Sequence, residues 1–253
     1  MFEKIDRLKK EIHCYRSLSN SEMKSIRDNF SISYVYNSNA IEGNSLSERE
    51  TALLLKERIT ADKKPLKDHL EAIDLEEAFY YVLDLVDHKE KLSEKHIKDL
   101  HYLVVHQYPD IRGRYKNIPN YIQGTNVQVA EPWEVEYKIK ELLADYHESE
   151  KHIVEKVAAF HNRFESIHPF QDGNGRVGRL IINLELMKEN YLPVNIKYID
   201  VGQYYAALDD FHQTNSSQAM VQLILNEEEK ELEHYLDLLK MVNRSKSAED
   251  ETD

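Results

Sequence analysis

The chain has 253 residues, 41% of them hydrophobic and 31% charged, which is enough for a sizeable buried core. Its formal charge is 33 minus 46, or −13, and this argues against a general nucleic-acid binder. The single Cys14 excludes an internal disulfide and a thiolate metal cluster, and no apolar run approaches the roughly 20 residues that span a bilayer. The opening MFEKIDRLKKEIHCY lacks the apolar centre of a signal peptide, so a cytoplasmic protein with no membrane partner is expected.

Seven glycines and six prolines leave few tight turns, which favours helices. In chain order, residues 3–17 and 20–42 read as amphipathic helices, with Met23, Ile26, Phe30, Tyr34 and Ile41 near one face of the second. Ser45 or Ser47 caps a helix over 49–59, and Pro65 opens a long one to about 88. Ser93 caps another, and Pro132 starts one to about 148. Between them YIQGTNVQVAEP, residues 121–132, alternates around Gly124-Thr125-Asn126 and is the best hairpin signal in the chain. Ile153, Val157, Phe160, Phe164 and Ile167 form a stripe at helical spacing, which predicts a core helix. Helices are expected over 203–213 and 216–243, and a disordered tail over 246–253. The fold class is mainly α with a small β-hairpin, as a single domain over 1–245.

Chemistry concentrates in IHPFQDGNGRVGRLIINLEL, residues 167–186. Pro169 ends the core helix and Val177, Leu180, Ile181 and Leu184 restart helical spacing, so the motif is helix, glycine loop, helix. Gly173 and Gly175 let the backbone turn sharply, and N–H groups converge beside a helix N-terminus, a ready anion site. Arg176 and Arg179 share a side of that first turn, where the helix dipole opposes them unless an anion is present. Two guanidinium forks suit a polyphosphate. Asp172 suits Mg²⁺ completed by waters and phosphate oxygens, and His168 suits the removal of a hydroxyl proton near neutral pH. Weighed against a plain interhelical turn with solvated arginines, the combination favours the phosphate site.

HPFQDGNGRVGR resembles the signature of the Fic family at every fixed position, and the similarity extends over residues 20 to about 225. The resemblance implies a Fic-type helical fold and transfer of AMP from ATP to a Ser, Thr or Tyr hydroxyl of a protein, itself included. It makes His168 the base, Asp172 the Mg²⁺ ligand, and Gly173, Asn174 and Gly175 the anion hole, with Asn174 turned to the α-phosphate. It assigns Arg176 to the phosphates, Arg179 to the γ-phosphate, and Tyr205 to the adenine beside an uncertain His212. Relatives that transfer phosphate carry lysine at the position of Gly175, which favours adenylylation here. A flap over 118–129, with Ile122, Gly124, Thr125 and Val127, would hold the target by strand addition. Lys116 stands where relatives often have arginine.

SNAIEGN, residues 38–44, places Glu42 at the negative end of a helix capped by Gly43, disfavoured by roughly 0.3–1 kcal/mol. Ser38 and Glu42 share a face. Ser-x-x-x-Glu-Gly is similar to the inhibitory motif of the second Fic class, which implies that the helix over about 20–43 holds Glu42 against Arg179 and restrains the enzyme. Removal of AMP with Glu42 positioning water, a non-catalytic nucleotide-binding role, and a homo-oligomer all remain open. Other clusters read as structural. His96, His101 and His106 lie about 140° apart per step and share no face. His161 with Glu165 reads as a helix-surface pair, and Glu227 to Glu229 as a solvated helix face.

Overall fold

The computed structural model describes residues 1–15, 18–121 and 128–250. Among these every regular element is helical. The hairpin expected over 121–132 falls mainly on residues 122–127, so Ile122, Gly124, Thr125 and Val127 lie outside the described residues. Among the described residues no helix is long and apolar enough to cross a membrane.

Local sequence sets most helix starts. Helix α1 spans Glu3–Ile12, shorter than the predicted 3–17, because its buried anchors Ile5 and Leu8 lie in the first two turns. Helix α2, Asn20–Ile41, begins at a capping box: Ser19 Oγ accepts from the Glu22 N–H at 3.3 Å, and Glu22 accepts from the Ser19 N–H at 2.7 Å. Ser47 and Glu50 repeat this device for α3, Glu48–Glu57, so Ser47 and not Ser45 is the cap. Pro65 precedes α4, Leu66–His88, and Ser93 caps α5, Glu94–Val104. A 3₁₀ turn over Pro132–Glu134 feeds α6, Val135–Glu148.

Helix α7, Ile153–Ile167, carries the apolar stripe and packs on α8, Asn174–Lys188, which is buried along nearly all its length and also contacts α4 and α5. These helices form the centre of the core, with Val157, Phe164, Phe170, Val177 and Leu180 at 0–1% exposure. Helix α9, Val201–Thr214, and helix α10, Gln218–Asp250, complete the set. Helix α10 runs five residues into the stretch from 246 that composition assigns to a disordered tail. That stretch contains no glycine or proline to break it.

The acidic run on α10 is not a solvated face. Glu227 is 7% exposed and Glu228 is fully buried, because α10 packs on α1, α7 and α9 and turns Glu228 towards the segment after α8, where its Oε1 accepts from the Leu192 N–H at 3.0 Å. Burial pushes Glu228 up to about 8. A glutamate in the unfolded chain ionises near ~4.3, so folding requires Glu228 to hold a proton that the unfolded chain has released. Stability present below that lower value is therefore lost as pH rises through about 8. In Glu228→Gln the melting temperature should fall less between pH 5 and pH 8 than in the parent. Parallel slopes in the two proteins would overturn this account.

Candidate active site

The loop between α7 and α8 is built by backbone shape. His168 ends α7 in the left-handed region, φ 50°, and Gly173 starts α8 at φ 81°. Gly175 is different: it is helical, and a Cβ there would collide with Glu42 Oε1. Of the two glycines read as turn residues, only Gly173 needs glycine for its φ, while Gly175 makes room for a carboxylate.

Phe170, fully buried, anchors the loop by stacking on His101, ring centroids 3.7 Å apart. His101 Nδ1 accepts from the Gly113 N–H at 2.9 Å, so its Nε2–H donates to the Asp172 carbonyl at 3.0 Å. Burial lowers His101 to about 4, which keeps the ring neutral in this role. His101→Leu strands that N–H and that carbonyl. It should lower stability by about 1–3 kcal/mol in urea denaturation, and a change below ~0.5 kcal/mol would show that the loop is held by other contacts.

The Asn174 side chain does not face the cavity as the sequence reading has it. Its Oδ1 accepts from the Phe170 N–H and its Nδ2 donates to the Phe170 carbonyl, both at 2.9 Å. Asn174 locks the loop, and what it can offer an anion is its backbone N–H. The Gly173 N–H is already taken by Asp172 Oδ1 at 2.6 Å, so an anion would meet the N–H groups of the first turn of α8.

Both arginines find their anionic partners within the protein. Arg176, 2% exposed, donates to Asp172 Oδ1 at 3.1 Å and lies 3.5 Å from Glu71, while its buried Nε has no partner. Arg179, 3% exposed, donates from Nε to Ser38 Oγ at 3.0 Å, from Nη2 to the Ser38 carbonyl at 2.8 Å, and from Nη1 to Tyr204 Oη at 3.3 Å. Its Nη2 also pairs with Glu42 Oε1 at 2.8 Å. The end of α2 thus closes over Arg179. Gly43 then turns the chain at φ 88°, and Asn44 donates to the Asp68 carbonyl and to Glu71 on α4.

These groups border a cavity of about 640 Å³, lined by Glu42, His168, Asp172, Gly173 and Gly175, with Tyr205 and His212 from α9 on another wall. Tyr205 donates to the Ile41 carbonyl at 3.0 Å and so also holds the end of α2. Burial, and then the nearby Lys116 ammonium, lower His168 to about 4, which leaves its imidazole neutral and able to accept a proton at pH 7. Lys116 itself is buried, donates to Asn120 at 2.6 Å, and is lowered to about 8 by the same desolvation.

Residues 91–186, from α5 through most of α8, match the family model described as Fic/DOC family. The chain carries a Fic/DOC family domain. It is similar to a protein named Protein adenylyltransferase Fic from Nematostella vectensis, 29% identical over 212 residues, covering 83% of this chain and 49% of that protein. It is also 29% identical to the Drosophila melanogaster protein of the same name, over 86% of this chain and 44% of that one. The chain therefore spans about half the length of the curated relatives it matches. A Fic-domain-containing signaling protein from Bacteroides thetaiotaomicron superposes with a TM-score of 0.85 at 27% identity, covering 94% of this chain and 97% of that one. Fic-1 from C. elegans gives a TM-score of 0.83 at 25% identity, covering 95% and 72%.

The Fic domain contains buried polar residues that the sequence reading sets aside. His161 and Glu165 are not a surface pair: they are 0% and 6% exposed, facing α8 at Gly178. A Cβ at Gly178 would lie 2.6 Å from His161 Nδ1 and 3.0 Å from Glu165 Oε1, so glycine there lets the two helices meet. The Tyr204 hydroxyl donates to His161 Nε2 at 2.8 Å, with His161 kept neutral at about 3 by burial and by the Arg179 charge. Glu71, His101 and Tyr204 escape a sequence reading because their partners lie 25–105 residues away.

Proposed function

We propose that this Fic-domain protein is an ATP- and Mg²⁺-dependent protein adenylyltransferase held in a restrained state by α2. One observation carries the reading: His168, Asp172 and the Gly173–Gly175 turn line one cavity, into which Glu42 reaches to occupy Arg179. The named relatives support the reaction class.

Catalysis would begin with His168, neutral at pH 7, accepting the proton of a Ser, Thr or Tyr hydroxyl on a target protein or on this chain. The hydroxyl oxygen bonds to the α-phosphorus as the bond to the departing diphosphate breaks. The first-turn N–H groups of α8 and the helix dipole would stabilise charge on the α-phosphate. Arg176, whose buried Nε is unpartnered, would hold the phosphates, and Arg179 would hold the γ-phosphate once Glu42 withdraws. Tyr205 would flank the adenine.

Asp172 fits a Mg²⁺ role in part. It is about half exposed and lines the cavity, with one oxygen committed to Gly173 and Arg176. No group of three metal-ligating side chains gathers among the described residues, so one carboxylate with phosphate oxygens and waters is the donor set the protein offers. Bound there, Mg²⁺ would neutralise phosphate charge and fix the leaving group.

The test is Mg²⁺-dependent retention on protein of label from α-labelled but not γ-labelled ATP. Retention of γ-label would point to phosphate transfer and overturn the proposal. Because the Glu42 carboxylate lines the same cavity, AMP removal is the second reading, tested by release of AMP from an adenylylated protein.

A further inference from the structure

Two buried polar atoms at the head of the cavity have no hydrogen-bond partner among the described residues: Nδ1 of His168 and Oε1 of Glu165. The two residues are one helical turn apart, and Glu165 Oε2 lies 3.8 Å from that Nδ1. The His168 side chain is 18% exposed while its Nδ1 is shielded from water, so Nε2 is the nitrogen left to the cavity. A neutral imidazole carries one proton, and the partner of one nitrogen decides the state of the other. For Nε2 to accept a proton, Nδ1 must hold one, and Nδ1–H then needs an acceptor.

Several charged or titratable groups face this pair. Glu42 comes from α2, Lys116 from the segment after α5, Asp172 from the loop, Arg179 from α8, and Tyr204 and Tyr205 from α9. Glu42 opposes a second negative charge on Glu165. Burial, and then Glu42, raise Glu165 to about 8 while α2 is docked.

We infer that Glu165 is a positioning residue that sets the tautomer of His168 according to whether Glu42 is docked. As a carboxylate, Glu165 accepts from Nδ1–H and leaves Nε2 bare to take the hydroxyl proton. As a carboxylic acid it donates its O–H to Nδ1, and the imidazole proton stays on Nε2, where it obstructs transfer. Docked Glu42 favours the acid and its withdrawal favours the carboxylate. On withdrawal Glu165 releases one proton to solvent, and His168 exchanges its own proton from Nε2 to Nδ1 and stays neutral. Helix α2 then acts on the base as well as on Arg179. The effect on rate rests on the adenylyl-transfer reading, whereas the tautomer does not.

The experiment uses the full chain with ¹⁵N-labelled histidine at pH 7, the His168 resonances being identified by their loss in His168→Ala. Nitrogen shifts and long-range proton couplings report the tautomer. The parent should carry the proton on Nε2 and Glu42→Gly on Nδ1. In Glu165→Gln, which cannot change charge, the tautomer should be the same with or without Glu42→Gly. If parent and Glu42→Gly share one tautomer, the inference is wrong. If the response to Glu42 survives in Glu165→Gln, the role belongs to the Glu165 backbone carbonyl. Glu165→Met, apolar and of similar length, repeats the comparison if the glutamine form does not fold. In transfer assays Glu42→Gly/Glu165→Gln should lose on the order of tenfold in kcat relative to Glu42→Gly, with KM for ATP unchanged. Absence of label in every variant would overturn the transferase reading alone and leave the spectra to decide this inference.

Discussion

Glu42→Gly is expected to raise Mg²⁺-dependent labelling of protein from α-labelled ATP by about 5- to 150-fold, the range of a coupling of 1–3 kcal/mol between two sites. The basis is occupancy. All three nitrogens of the Arg179 guanidinium are engaged, by Ser38, Tyr204 and Glu42, and the whole group is 3% exposed. A γ-phosphate can reach Arg179 only by displacing that arrangement, and removing the carboxylate removes its one charged member. The substitution also gives up a carboxylate at the C-terminal end of α2, where the helix dipole disfavours it, so stability should change little. Truncation therefore separates regulation from folding. Labelling no faster than the parent, with ATP binding intact, would mean that Glu42 restrains nothing.

His168→Ala in the Glu42→Gly background should reduce labelling by about 10²–10⁴, the range for a lost general acid–base group. ATP affinity should be nearly unchanged, since the ring contributes no positive charge at pH 7. With His168 lowered to about 4, its proton-accepting form is populated above that value and lost only as pH falls through it. The Glu42→Gly form should then keep its activity between pH 8 and pH 6, where an ordinary histidine would lose about half or more. A loss following an ordinary histidine titration would place the base elsewhere. Survival of activity in His168→Ala would do the same.

What the sequence makes legible is local. Ser47 and Glu50 three residues apart, Pro65 and the stripe from Ile153 to Ile167 place helices without knowledge of their neighbours. The glycine loop between two apolar stripes is likewise visible from chain order alone. Arginines in the first turn of α8 announce that anions must lie nearby, but not that Glu71, Asp172 and Glu42 supply them from within the protein. The Glu42–Arg179 pair spans 137 residues and is foreseen only through family resemblance. Burial of polar groups is where the reading fails. His161, Glu165 and Glu228 have the surface spacing of solvated residues, and what buries them is a partner element: glycine at 178 in one case, the segment at Leu192 in the other. Asn174 fails for a related reason, since a side chain beside an anion site can be needed to hold the loop before any ligand arrives.

The capping box at Ser19 stands at the far end of α2 from Glu42, 22 helical residues away. Glu42 behaves as a ligand attached to its own receptor, so its strength as a competitor is an effective concentration set by how much of the time α2 is folded and seated. Dilution cannot weaken it, and free phosphate must contend with a rival that never diffuses away. Fraying of the first turn shortens the rod that carries the competitor, and the loss is transmitted as lowered occupancy and not as a broken contact. A serine that touches neither nucleotide nor arginine thereby becomes part of the setting of the enzyme's resting activity.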